Sequence, residues 1–149
     1  MSRVRSAMVA LIALTLPLAG CKKDHVSETH HPATMEESGQ EGIMRVRLEA
    51  RAAERIGLET DQVREEMVEL DSGEFAQRKV IPYGAIMYDK KGHTWTYTNP
   101  EPLVFVRAPI EIEEIDEDTV ILAEGPPAGT TIVTVGAAML MGVEHKNGH

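Results

Sequence analysis

Residues able to bind soft or borderline metal ions are concentrated toward the two ends of this 149-residue chain. Imidazole suits copper, zinc and nickel, and a thioether selects Cu(I). A strand at 139–141 would also place two thioether sulfurs on one face. The pattern predicts a candidate Cu or Zn site, with no other cofactor, built from His25, His30, His31, Met35, Met139, Met141, His145 and His149.

A simpler interpretation competes with this metal site, and we favour it from the sequence. A polar tail collects histidines without using them, and a methionine pair is a common gap-filler in a hydrophobic core. Met44, Met67 and Met87 are predicted in the same way to be core or strand residues.

Catalytic patterns are missing from the sequence. It contains no Gly-x-Ser-x-Gly, no phosphate-binding glycine-rich loop and no His-Glu-x-x-His. The acidic run at 111–118 predicts a solvated strand face and turn, because its spacing matches no EF-hand loop. We therefore expect no enzymatic activity. A net charge of -9 further argues against nucleic-acid binding, which depends on basic patches.

Cys21 is the single cysteine, so an internal disulfide is excluded. It follows a basic start (Arg3, Arg5) and an apolar run ending at Ala19, which is typical of a secretory signal and shorter than the ~20 residues that span a bilayer. The end of this run, Leu18-Ala19-Gly20-Cys21, resembles the bacterial lipobox. That resemblance implies cleavage before Cys21 and acylation of its sulfur.

The chain divides into four predicted parts: a lipoprotein signal peptide at 1–20, a flexible tether at 21–42, a β domain at 43–141 and a C-terminal tail at 142–149. The tether has too little apolar surface to offset its ordering entropy. We expect a periplasmic protein, lipid-anchored to a bacterial membrane, the inner one in preference to the outer. Because the body is acidic, the lipid rather than the protein charge is expected to anchor it.

Short alternating segments predict an all-β fold, a small sandwich or barrel with one short helix. Strands are predicted at 44–48 and in short stretches from 79 to 135, separated by turns at 71–73, 89–92 and 125–129. The helix is predicted at 49–56, ended by Gly57. Trp95 and Tyr97 alternate with threonines and are predicted to point into the core.

Four segments, taken in order, resemble one known family. They run from Val80 to Ile86, from Gly92 to Tyr97, from Phe105 to Ile110 and from Glu124 to Ala137. They resemble the membrane-proximal part of periplasmic adaptor subunits, or membrane fusion proteins, of RND-type efflux pumps. The stretch from Arg55 to Thr60 is similar to the segment with which those adaptors open.

The resemblance implies a lipid-anchored accessory of an RND-type efflux system, including heavy-metal systems, that contacts an inner-membrane transporter or its adaptor. Fewer than twenty residues separate 61–63 from 80–82, where full adaptors insert their lipoyl-like, barrel and helical-hairpin modules. Contacts are then expected at two turns, through Lys90, Lys91, Pro126 and Pro127. Two alternatives stay open: a periplasmic lipoprotein that sequesters or delivers Cu or Zn through its terminal His and Met, and a decayed adaptor remnant.

Overall fold

The computed structural model describes residues 32–147, which form a mainly β domain of two sheets. The predicted all-β class with a short helix is confirmed. The strands are β1 (Ala33–Glu37), β2 (Met44–Leu48), β3 (Glu59–Gln62), β4 (Arg64–Glu69), β5 (Phe75–Pro82), β6 (Met87–Tyr88), β7 (Thr94–Glu101), β8 (Val104–Pro109), β9 (Glu111–Asp116), β10 (Thr119–Glu124) and β11 (Thr131–Val135). The helices are α1 (Ala50–Ile56) and α2 (Ala137–Asn147), with a 3-10 turn at Tyr83–Ala85.

The larger sheet has the strand order β1-β2-β8-β7-β11-β3, and β6 also pairs with β7. The smaller sheet has the order β4-β5-β10-β9. Val63, which is 1% exposed, separates β3 from β4, so the chain passes from one sheet to the other at a buried residue. The amide of Val63 donates to the carbonyl of Thr130 at 2.9 Å, and its carbonyl accepts from Gly129 at 2.8 Å. These bonds hold the crossing point to the turn before β11.

Two hydrophobic clusters form the core. The first, here called the aliphatic cluster, contains Val63, Ile81, Ala85, Ile86, Ile110, Val120, Leu122 and Ile132. The second, here called the mixed cluster, includes aromatic rings and residues of α2: Val46, Leu48, Tyr97, Phe105, Val133, Ala137 and Leu140. Ile132 of β11 belongs to the aliphatic cluster and the adjacent Val133 to the mixed cluster, so the larger sheet is covered on both faces at this strand.

Helix α1 begins at Ala50, one residue after the predicted start, and ends where the sequence predicts. Gly57 adopts a left-handed conformation (φ 67°, ψ 45°), and its amide donates to the carbonyls of Ala53 and Glu54. Glycine reaches this conformation without the steric cost that a Cβ atom imposes, so it ends the helix at low energetic cost.

The C-terminal region corrects two predictions. Residues 139–141 were predicted as a strand and 142–149 as a tail, but both belong to α2 up to Asn147. Gly136, with φ 88°, ends β11, and its carbonyl accepts from the amides of Met139 and Leu140 in the first turn of the helix. Ala137, Leu140, Met141 and Glu144 then follow at i, i+3, i+4 and i+7, which places them on one helical face.

The N-terminal boundary of the domain is also corrected. The predicted tether at 21–42 contains β1, which pairs antiparallel with β2 along its whole length, from Ala33 opposite Leu48 to Glu37 opposite Met44. Ala33 and Met35 pack against the mixed cluster, whereas Thr34 and Glu36 are exposed. This pairing gives a polar segment enough burial to be ordered. The predicted signal peptide at 1–20 and the tether residues up to 31 lie outside the described residues.

Strand β7 only partly follows its predicted pattern. Tyr97 is fully buried, as expected, but Trp95 is only partly buried and Thr96 is fully buried on the opposite face. Both faces of β7 are therefore covered in its middle. Within 32–147, neither helix has the length and apolar character needed to cross a bilayer.

Candidate functional site

The predicted site residues divide between the described domain and the ends of the chain. The lipidation site and four of the eight predicted metal ligands lie outside the described residues: Cys21, His25, His30, His31 and His149. The remaining four are in β1 and α2, and the four predicted contact residues are in two turns.

The methionines predicted as soft ligands behave in two ways. Met35 and Met141 pack partly buried against the mixed cluster, as gap-filling core residues would, whereas Met139 is 59% exposed. His145 is exposed, and its Nδ1 lies 2.8 Å from the carbonyl oxygen of Met141, one helical turn earlier. Between residues 32 and 147, no group of three His, Cys, Asp or Glu side chains is arranged to hold a metal ion.

The turn at 89–92 carries Lys90 and Lys91, both exposed, and is organised by Asp89. Oδ1 of Asp89 accepts from the amides of Lys91 at 2.7 Å and His93 at 2.9 Å. Its Oδ2 lies 2.9 Å from Nδ1 of His93. One carboxylate thus fixes both ends of the turn and presents two ammonium groups to solvent.

The environment of Asp89 favours its charged form. Burial alone would raise the pKa of Asp89, but hydrogen bonds from His93, Lys91 and the indole of Trp95 together outweigh it and hold that pKa below its ordinary range. The turn is therefore held by a carboxylate that stays ionised at neutral and mildly acidic pH.

The second predicted contact is the turn at 125–129. Pro127 is exposed, but Pro126 is buried, so only one of the two prolines offers its ring to a partner. Nζ of Lys79 donates to the carbonyl of Gly125 at 2.7 Å, and the amide of Thr130 donates to the carbonyl of Pro127 at 3.1 Å. The first bond ties the turn to β5, and the second closes the turn itself.

Both turns adjoin the junction of β8 and β9 at Pro109–Ile110. On one side, Thr94 follows the lysine turn and exchanges two bonds with Ile110: its hydroxyl donates to the carbonyl of Ile110 at 2.6 Å, and the amide of Ile110 donates to the carbonyl of Thr94 at 3.1 Å. On the other side, Pro126 and Ile110 line one shallow groove. The lysine turn and the proline turn therefore both lie beside Ile110.

A buried polar network, which the sequence did not reveal, connects helix α2 to this region. Glu144 of α2 is 6% exposed, and its Oε2 accepts from the hydroxyl of Tyr97 at 2.6 Å. Its Oε1 lies 3.0 Å from Nε of Arg107, an ion pair whose N–H bond is not aligned for a hydrogen bond. Nη2 of Arg107 donates to the carbonyl of Gly42 at 2.7 Å.

The guanidinium of Arg107 also lies over the ring of Trp95, with its central carbon 4.7 Å from the ring centroid. Trp95 in turn donates from its indole nitrogen to Asp89 at 3.4 Å. A continuous set of contacts therefore runs from Glu144 through Arg107 and Trp95 to the lysine turn. Glu144 shares its helical face with Ala137, Leu140 and Met141, and this placement of a carboxylate among apolar residues is the one local pattern that could have indicated the inner end of the network.

Burial and the Glu144 carboxylate both keep Tyr97 protonated. Burial raises the pKa of the Tyr97 hydroxyl above its ordinary value, and the hydrogen bond to Glu144 raises it further, while Arg107 acts weakly in the opposite direction. Tyr97 therefore acts as a hydrogen-bond donor to Glu144 throughout the physiological pH range.

In comparison with known proteins, no family model matches this chain, and no curated protein sequence matches it significantly.

Proposed function

We propose that this chain is a lipid-anchored periplasmic accessory protein of an RND-type efflux system, heavy-metal systems included, and that it acts by protein contact rather than by catalysis. The observation that carries the proposal is the order of the four adaptor-like segments behind a lipobox that contains the only cysteine. The segments fall on β5 with the 3-10 turn, on β7, on β8, and from the end of β10 to the start of α2.

The position of the β4–β5 hairpin is consistent with a shortened adaptor. It occupies the interval in which full adaptors insert their additional modules. Its residues Met67 and Phe75 are 66% and 65% exposed. We propose that the chain keeps the surface that rests on an inner-membrane transporter or on that transporter's adaptor.

The lysine turn and the proline turn are the proposed contacts, because both are exposed in part and both lie beside Pro109–Ile110. To test this, the lipidated full chain is cross-linked in intact membranes, and its partners are identified by mass spectrometry. We expect an RND-type transporter or adaptor among them, and a several-fold loss of that cross-link for Lys91→Glu. Arg64→Glu, which reverses another exposed cation on β4, is the matched control.

Two results would contradict this assignment. Cross-links that reach no transport protein would remove the efflux assignment altogether. Equal loss of the cross-link in Lys91→Glu and Arg64→Glu would show a general charge effect instead of a contact at the turn.

The anchor is tested separately at Cys21. We expect Cys21→Ser to release the protein from the membrane into the soluble periplasm, because the acyl chains are the proposed attachment. Full retention of the variant in the membrane fraction would refute the lipobox assignment.

Metal binding is the alternative function, and the described residues offer only the α2–β1 region for it. His145 and Met141 are one turn apart, and Met35 packs against the same cluster as Met141. Titration of the lipidated chain with Cu(I), Cu(II) and Zn(II) against a competing chelator tests it. Submicromolar stoichiometric binding that is lost on replacing His25, His30 and His31 would favour the metal carrier over the efflux accessory.

A further inference from the structure

An apolar groove lies between α1 and α2, beside the point at which the described chain begins. Its lining includes Pro32, Leu48, Ala52, Ile56, Met139 and Val143. Met139 is 59% exposed, although a large apolar side chain gains free energy when it leaves water. We infer that this face of the domain, formed by α1 and α2, rests on the surface of an anionic phospholipid bilayer; the inference depends on the proposed lipid anchor at Cys21.

Positive charges border the groove on both helices. On α1, Arg51 and Arg55 are four residues apart and therefore share a face, and Arg55 lines the groove itself. On α2, Met139, Val143 and Lys146 lie at i, i+4 and i+7 and form one stripe.

The carboxylates of the two helices point elsewhere. Glu54 lines a different groove, next to Thr60 and Leu103. Glu144 faces inward to Arg107 and Tyr97. The charged side chains with which the two helices border the groove are therefore cationic, on a chain whose net charge is -9.

Apolar side chains bordered by Lys and Arg are the combination found on proteins that lie in the membrane interface. The apolar groove would meet the boundary between headgroups and acyl chains, and the cations would meet lipid phosphates. The remaining, acidic surface would be repelled by the same lipids, so charge favours this one orientation.

The short connection to the proposed anchor supports the same face. Pro32 and Ala33, the first described residues, are at the edge of the groove. Only ten residues, 22–31, separate Cys21 from Pro32. Fully extended, they span at most about 35 Å. Val26 is the single strongly apolar residue among these ten, so the connecting peptide itself is a poor occupant for the groove.

The single cysteine makes a direct test possible, because an introduced cysteine is the only free thiol once Cys21 is acylated. We would attach a nitroxide at Met139→Cys and, as a matched control, at Met67→Cys in the lipidated full chain. The two positions are similarly exposed, at 59% and 66%. The protein is placed on vesicles of phosphatidylcholine with or without phosphatidylglycerol, and collision with oxygen and with a water-soluble nickel complex is measured by electron paramagnetic resonance.

We expect the label at 139 to be several-fold less accessible to nickel, and more accessible to oxygen, than the label at 67. The difference should grow with phosphatidylglycerol, and Arg55→Glu with Lys146→Glu should reduce it. Equal, water-like accessibility at both positions on protein that floats with the vesicles would overturn the membrane-facing surface and leave the anchor standing. Failure of the protein to float would overturn both.

Two other occupants give different results, and each would overturn the inference. Dipolar broadening between labels at 139 on separate molecules would show that a second copy of the chain covers the groove. A lipid-like environment at 139 that does not depend on phosphatidylglycerol or on the two charge reversals would show that the protein's own acyl chain fills it.

Discussion

The aliphatic cluster and the mixed cluster stabilise the same domain by different means. The aliphatic cluster joins side chains without polar atoms, such as Ile81, Leu122 and Ile132, and the attraction among them is non-directional. The mixed cluster is closed by α2, which brings the buried carboxylate of Glu144 against Arg107 and Tyr97. A buried charge is tolerated only when it is paired and hydrogen-bonded, so this second contact specifies one seating of the helix.

The two clusters also differ in what they position. The aliphatic cluster contains Ile110, which is hydrogen-bonded to Thr94 beside the lysine turn and lines a groove with Pro126 of the proline turn. The mixed cluster holds α2, and with it Met139 and Lys146 of the proposed membrane-facing surface. A change in one cluster should therefore affect one proposed contact more than the other.

Arg107→Met should produce the largest loss of stability. It removes the partner of a buried carboxylate, the contact with Trp95 and the bond to Gly42. Breaking a buried pair from one side typically costs about 3–5 kcal/mol. Chemical denaturation of the variant would measure the loss.

The double variant Arg107→Met with Glu144→Leu is the control. It should recover a large part of the loss, because no charge is then left unpaired in the interior. A double variant whose loss of stability equals the sum of the two single losses would show that Glu144 is not coupled to Arg107.

Ile132→Ala should be the next most destabilising change, and it examines the aliphatic cluster. Ile132 is fully buried, and truncation of a buried isoleucine to alanine typically costs about 2–5 kcal/mol. Because no titratable group is removed, the variant should keep the pH dependence of the wild-type protein. Denaturation at several pH values would measure both quantities, and an altered pH profile would show that the two clusters are coupled.

The sequence predicted the features of both clusters that depend on local chemistry. The strand at 44–48, the helix ended by Gly57 and the turn at 89–92 follow from alternation, helix propensity and turn residues. The burial of Tyr97 on one face of β7 was predicted in the same way. Trp95 was predicted to be buried on that face too, but it is only partly buried, and the guanidinium of Arg107 lies over its ring.

The features that the sequence did not predict depend on distant residues. In β1 only Ala33 and Met35 are apolar, and the strand is stabilised by its pairing with β2. The spacing of Met139 and Met141 fits one face of a strand. The segment is a helix instead, in which Leu140 and Glu144 are buried on one face. Glu144 is 47 residues from Tyr97, too far for any local pattern to show their contact.

Tyr97→Phe should cost less than either change above and should show a pH signature. Losing the hydroxyl leaves one oxygen of Glu144 without its donor, which typically costs about 1–3 kcal/mol at neutral pH. Folding raises the pKa of Tyr97, so above about pH 10 the unfolded state releases a proton that the folded state retains. Wild-type stability should fall in that range.

The comparison of wild type with Tyr97→Phe isolates this effect from the titration of lysines, which is common to both. The difference in free energy of unfolding should narrow as pH rises from 9 to 11. Tyr83→Phe is the matched control, because Tyr83 is 49% exposed. A constant gap for Tyr97→Phe, or an equal narrowing for Tyr83→Phe, would contradict the buried-donor assignment.

Asp89→Asn should have the smallest effect on stability, and it examines the outer end of the network. Folding lowers the pKa of Asp89, so its stabilising contribution is present above the unfolded-state pKa of about 3.9 and is lost as pH falls toward the folded-state value. The variant should therefore melt below wild type at pH 7, and the gap between the two melting temperatures should be narrower at pH 3 than at pH 7. Asp118→Asn, in the exposed turn between β9 and β10, should match wild type at both pH values.

Since Asp89 connects to Trp95 rather than to the aliphatic cluster, its loss should loosen the lysine turn and leave the proline turn in place. Amide hydrogen exchange that quickens at Lys91 and His93 but not at Gly129 and Thr130 would establish this difference, whereas equal quickening at both turns would show that they respond as one unit.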